Sequence, residues 1–307
     1  MFTRVPIGEA WSVARTSRLE VFVPLIFGAV FTWFLIESWT YSYLFTRFNA
    51  PVSFKEGRSL RGMSYLLTPI HWNVGKAAVI LRLRQTKKIP LLESTSAVML
   101  YQAIDGVVLA TLATTGLILL ESQATELAGV RWTTSAIIIA IFFNLAVTRA
   151  IWPRFKWLIW WRGLSIHHAH RQIDVRDLIT IISLKVTYHF LFVLVVYFGV
   201  QAFGIELPFA LALAATPIIQ VVGGLPITPA GLGTQQAAML YFFGDRFGGG
   251  GSEASIVAFG FSLPIALIVG RCLLGLFYLR DLGSSKATPA LNEPVPDLAL
   301  HEAKLPS

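Results

Sequence analysis

Lys185 and His189 stand four residues apart in "LITIISLKVTYHFLFVLVVYFGV", a run with no other strongly polar side chain. At helical spacing the two share one face. Asp105, in "SAVMLYQAIDGVVLATLATTGLILL", and Arg271, in "AFGFSLPIALIVGRCLLGLFYL", are just as isolated among apolar residues. An ionisable group inside hydrocarbon costs roughly 3 kcal/mol on insertion scales, so each of the four needs a partner or a wet cavity. Two readings follow: a buried ion pair, with Arg271 the first expected partner of Asp105 and Lys185 the second, or a pathway for a charged substrate or a proton.

Two other stretches could hold an anion. In "PIHWNVGK", residues 69–76, His71, Asn73 and Lys76 offer donors beside a backbone broken by Pro69 and Gly75. Lys76 there would suit a phosphate. The second stretch is "VVGGLPITPAGLGTQQ", residues 221–236. Pro226 and Pro229 cannot donate backbone hydrogen bonds, so an incoming helix ends before them. Gly231 and Gly233 allow backbone angles closed to other residues, and Thr234 is a possible cap for the helix that follows. The N-terminus of that helix would carry free N–H groups and partial positive charge. Gln236 falls in its first turn, where a neutral amide can donate to an anion. The plainer alternative is a structural kink.

Other chemistry is poorly supported. Cys272 is alone, which excludes a disulfide framework and a thiolate metal site. "HHAH", residues 167–170, has no accompanying carboxylate or cysteine cluster, so no metal is expected. No phosphate-loop, zinc-protease, kinase or Ser-His-Asp motif is present. No catalytic residue, enzymatic activity or cofactor is expected.

The elements that carry these residues are membrane helices. The 307 residues are 55% hydrophobic and only 14% charged, with a mean hydropathy of +0.64. Runs long enough to cross a bilayer, roughly 20 apolar residues, occur at 21–44 and at about 95–120, 133–152, 178–203 and 254–279. Residues 62–81 and 207–243 are apolar but irregular. Non-helical backbone at membrane depth must be shielded by protein or line a cavity, so both are read as re-entrant or discontinuous helix segments. The fold class is an all-α polytopic transmembrane bundle. Residues 1–20 form an N-terminal segment, 21–281 the membrane domain and 282–307 a disordered tail.

The net charge of +8 resides in loops, where it sets orientation and implies no nucleic-acid partner. Arg47, Lys55, Arg58 and Arg61 precede the first irregular segment; Arg82, Arg84, Lys87 and Lys88 follow it; six more basic residues lie in 149–176. The positive-inside rule places all three groups in the cytoplasm and residues 121–132 outside. Residues 62–81 must then enter and leave on one side. "FKWLIWWRGL", residues 155–164, reads as an interfacial anchor.

With these residues in place, the chain resembles the flippase-like integral membrane family, also named for the transmembrane region of lysylphosphatidylglycerol synthases. "LLTPIHWNVGKAAVILRLRQTKKIPLLESTSAVMLYQAIDGVVLATL" is similar to its first signature, "GGLPITPAGLGTQQAAMLYFFG" to its second and "VGRCLLGLFYLRDLG" to its closing span. Asp105 and Arg271 match the family pattern. Lys76 and Gln236 stand where the family usually has Glu, and Val79 falls near a usual Arg. The resemblance covers about residues 20–283 and implies that the chain begins at the family's second span. It implies a multi-pass protein of a bacterial cytoplasmic membrane that handles lipid-linked substrates. The expected function is translocation of an anionic lipid or lipid-linked substrate between leaflets. The alternatives are a membrane-embedded transferase using Asp105 or His71 as base, and a non-transporting scaffold for a lipid-synthesis partner protein.

Overall fold

Local capping fixes where several helices begin. The Ser53 hydroxyl accepts from the Glu56 N–H at 3.2 Å while the Glu56 carboxylate accepts from the Ser53 N–H at 2.7 Å. Asp174 and Asp177 make the same reciprocal pair at 2.7 and 3.0 Å. The computed structural model describes residues 7–70, 72–120, 164–224 and 233–280, with isolated positions between 132 and 139. The expected span at 133–152 falls almost entirely outside the described residues. His71, Pro229, Gly231, most of the 121–132 loop, the 155–163 part of the tryptophan-rich anchor and the 282–307 tail also lie outside them.

Ten α-helices are formed among the described residues: α1 (Ile7–Thr16), α2 (Leu19–Phe48), α3 (Phe54–Leu67), α4 (Trp72–Lys87), α5 (Leu91–Leu119), α6 (His168–Gln172), α7 (Val175–Gln201), α8 (Phe209–Gly224), α9 (Thr234–Phe243) and α10 (Glu253–Leu276). Four of them, α2, α5, α7 and α10, are long and apolar enough to cross a membrane. They present Phe31, Trp39, Phe198, Ile265 and Leu276 outward, each about half exposed or more. A belt of that kind is stable against lipid and costly in water.

The short helices form two hairpins. Helices α3 and α4, of 14 and 16 residues, and α8 and α9, of 16 and 10, are too short to span a bilayer. Each hairpin starts and finishes at one end of the bundle. The Lys87 ammonium meets the Glu56 carboxylate at 2.6 Å across the first, and the Gly250 N–H donates to the Glu206 carbonyl at 2.8 Å across the second. The order long helix, hairpin, long helix therefore occurs twice. The two copies run in opposite directions: the Arg18 N–H at the start of α2 reaches the Ala202 carbonyl just past α7, and Arg47 at the far end of α2 binds Asp177 in the first turn of α7.

The structure corrects three local expectations. Residues 54–67 are helix rather than loop, so Arg61 lies inside α3. Asn73, Gly75 and Lys76 are inside α4, and the described part of the break is the turn at residues 68–70. Gly75 sits there because α3 and α4 pack closely: a Cβ on it would come within 2.9 Å of the Ser64 carbonyl oxygen. In the second hairpin Gly233, not Thr234, caps α9. Its φ of 98° is open to glycine and strained for other residues.

The interior has two apolar cores. One, at the Arg18 end, gathers Phe22, Phe203, Ile205 and Phe259, with α1 contributing Ala10. The other, at the Arg47 end, gathers Phe48, Val52, Ile89, Ala169 and Ile173. The three basic segments at 47–61, 82–88 and 164–176 converge on this second end. Between the cores lies a polar layer.

Candidate functional site

Asp105 is the central residue of α5. Its carboxylate forms an ion pair with Lys185 and accepts from His189 Nε2 at 2.9 Å. Both partners come from α7 because residues four apart share a helix face. The Lys185 ammonium also sits 3.5 Å from the centroid of the Tyr101 ring. Arg271, the partner expected first, makes no contact with Asp105. It reaches the layer from α10, lies 5.7 Å from the Tyr65 ring centroid and has a buried Nε with no hydrogen-bond partner.

A second ion pair was not anticipated. Arg61 donates from Nε and Nη2 to Glu37 at 2.7 and 2.6 Å, and the Tyr65 hydroxyl donates to the same carboxylate at 3.1 Å. Such a forked geometry is the strong form of a carboxylate pair. Arg61 also lies 4.6 Å from the Tyr65 ring centroid and 5.5 Å from that of Tyr41. Tyr41 meets Tyr101 edge-on at 6.1 Å. Arg271, Tyr65, Arg61, Tyr41, Tyr101, Lys185 and Asp105 thus form one connected layer near mid-helix. Glu37 could have been found from sequence by the rule that singled out Asp105, since it is an acid inside the 21–44 run. Arg61 carried no such signal, because it looked like one more orienting charge.

Lys76, half-buried on α4, feels the charges of Asp105, Lys185, Arg61 and Glu37. Among the described residues neither Lys76 nor Arg271 has an ion-pair partner. With both lysines protonated, four cations face two carboxylates, and the layer holds a surplus of two positive charges. Asn73 is exposed one turn before Lys76, and Gly75 is buried against α3.

Gln236 is 1% exposed. Its side-chain oxygen accepts from the Gly233 N–H, and its amide nitrogen donates to the Gly260 carbonyl at 2.7 Å. It therefore closes the start of α9 and ties it to α10, which commits one of the two N–H donors of its amide. Gln236→Glu removes the donor to Gly260 and sets a carboxylate against a carbonyl oxygen. We expect it to destabilise the protein by about 1–3 kcal/mol, read as a drop in melting temperature in detergent; an unchanged melt would sink this assignment.

At the Arg47 end the His167 and His170 rings meet edge-on at 5.7 Å, while His168 faces the Phe48 carbonyl at 3.1 Å, so the three imidazoles do not converge. Burial pushes the His170 imidazole down to about 4, and burial followed by the Arg171 charge lowers His167. The folded state thus binds protons at these rings less readily than the unfolded chain, whose ordinary value is near 6.5. The His170 contribution is complete above pH 6.5 and is lost as the pH falls toward 4, and His167 acts in the same direction. Melting temperature should fall between pH 7 and pH 5, and His170→Asn should reduce that slope.

The model of the family described as the lysylphosphatidylglycerol synthase TM region matches residues 1–275. The chain belongs to this family. No curated protein and no solved structure matches it. The matched stretch runs from before α1 to the last turn of α10, so the whole polar layer is part of the family's membrane region.

Proposed function

We propose that this family member translocates an anionic lipid or lipid-linked substrate between the leaflets of a bacterial cytoplasmic membrane, without itself catalysing a reaction. The observation that carries this reading is the pair of cations, Lys76 and Arg271, that have no ion-pair partner among the described residues, in a layer that already neutralises its own two carboxylates. A desolvated cation without a counter-charge is costly, and an anionic headgroup supplies that counter-charge while its acyl chains remain in lipid. Pairs of short helices set between long ones, as α3 with α4 and α8 with α9, are a usual frame for such sites. Asp105, one of the two bases a transferase could use, is occupied by Lys185 and His189, which favours the translocator; His71, the other, lies outside the described residues.

The test is a reconstituted translocation assay. Vesicles carrying the protein should move acyl-labelled phosphatidylglycerol across the bilayer faster than labelled phosphatidylcholine, and Lys76→Gln should remove the preference. Equal rates with protein-free vesicles would leave the scaffold alternative. The reading also puts the Arg47 end in the cytoplasm. On a Cys272→Ser background, Lys87→Cys should be labelled by an impermeant thiol reagent only after the cells are opened; labelling of intact cells would reverse the orientation.

A further inference from the structure

The Thr216 hydroxyl is 1% exposed and has no hydrogen-bond partner. Helical threonines ordinarily return the hydroxyl to the carbonyl four residues back, as Thr32, Thr111 and Thr115 do here. Thr216 does not. It lines an apolar cleft between α7, α8, α9 and α10, together with Phe192, Gln220, Met239 and Pro264. The Gln220 amide nitrogen in the same wall is also buried without a partner. An apolar cleft holding two idle donors fits a guest that is mostly hydrocarbon and carries an acceptor.

The cleft continues from the charged layer. Lys185, His189, Phe192 and Val196 recur at the spacing of one face of α7. Arg271, Leu267 and Pro264 do the same on α10. Two of the four helices that carry layer cations, α7 and α10, therefore carry cleft walls on the next turns toward the Arg18 end. A molecule with its phosphate at the layer would lay its first few carbons in the cleft.

We propose that the cleft binds the glycerol-ester segment of a diacyl glycerophospholipid, with Thr216 and Gln220 donating to an ester carbonyl. The assignment rests on the headgroup reading of the charged layer and narrows it. A polyprenyl phosphate has an anionic head, but its chain offers no acceptor and would leave both donors idle. A glycerophospholipid places ester carbonyls a few bonds from its phosphate, at the boundary between head and hydrocarbon.

The experiment measures binding to the full-length protein in detergent by native mass spectrometry. The probes are diacyl phosphatidylglycerol, its diether analogue without carbonyls, the matching pair of phosphatidylcholines, and a polyprenyl phosphate. Wild type should bind each diester about fivefold more tightly than its diether, the worth of one ordinary hydrogen bond. Thr216→Val, an isosteric change that removes an unpartnered hydroxyl, should keep or raise the melting temperature and lessen the ester preference. Gln220→Met should lessen it independently, and the double variant should abolish it. Equal binding of diester and diether by wild type, an ester preference intact in both single variants, or polyprenyl phosphate binding as tight as that of phosphatidylglycerol would overturn the assignment. An ester preference in both headgroup series, without preference for phosphatidylglycerol over phosphatidylcholine, would support the ester site while sinking the headgroup reading.

Discussion

Glu37→Gln lowers the stability of the detergent-purified protein by about 3–5 kcal/mol, the usual cost of leaving a buried charge without its partner. Glu37 is buried in α2 and accepts two hydrogen bonds from Arg61 and one from Tyr65. The neutral amide keeps the shape but cannot balance the guanidinium, whose remaining neighbours, the Tyr41 hydroxyl at 3.4 Å and the Ser64 hydroxyl at 3.1 Å, are uncharged. The pair also joins the first hairpin to the first long helix, so the loss should loosen α3 against α2. Glu37→Leu with Arg61→Leu should cost less than Glu37→Gln alone, because replacing both charges leaves none unpaired. Denaturant unfolding in mixed micelles measures both. A Glu37→Gln protein within 1 kcal/mol of wild type, or a double variant worse than the single, would show that the pair does not hold the hairpin. Lys185→Met should be milder than Glu37→Gln, since Asp105 keeps His189 as a second partner.

Neutralising the surplus cations should have the opposite sign. Lys76→Gln and Arg271→Gln each remove a charge, partly or wholly withdrawn from solvent, that no carboxylate among the described residues balances, so stability should hold or rise. Binding of phosphatidylglycerol should fall about 10-fold or more for each, the worth of a hydrogen bond to a charged group. Gain in one property with loss in the other marks residues kept for a ligand rather than for packing. The two measurements are a melt and a lipid titration on the same preparation, with phosphatidylcholine as the neutral control. If either variant loses stability and keeps its lipid preference, that cation is structural. Glu37 and Asp105 serve as the contrast, because their partners are supplied from within the protein.

The sequence by itself determined four helical spans and the presence of charge within them. Length and hydropathy decide a membrane helix, because hydrocarbon leaves the backbone few alternatives. The runs at 21–44, 95–120, 178–203 and 254–279 accordingly match α2, α5, α7 and α10 to within a few residues. Residues 62–81 and 207–243, set apart by their prolines and glycines, hold the shorter helices α3, α4, α8 and α9, in whole or in part, among the described residues, although Asn73, Gly75 and Lys76 proved compatible with helix. Partners were decided only by tertiary structure. Asp105 lies in a different helix from both Lys185 and Arg271, and nothing in spacing along the chain says that α7 rather than α10 presents its cation to α5. Arg61 shows the same limit: a basic residue between two apolar runs orients a loop or enters a core according to how the hairpin folds back. Gln236 and Thr216 complete the contrast, two buried polar side chains of which one is consumed by backbone groups and the other is left open. Polar satisfaction is a property of three-dimensional neighbours, so it becomes legible only when the helices are packed.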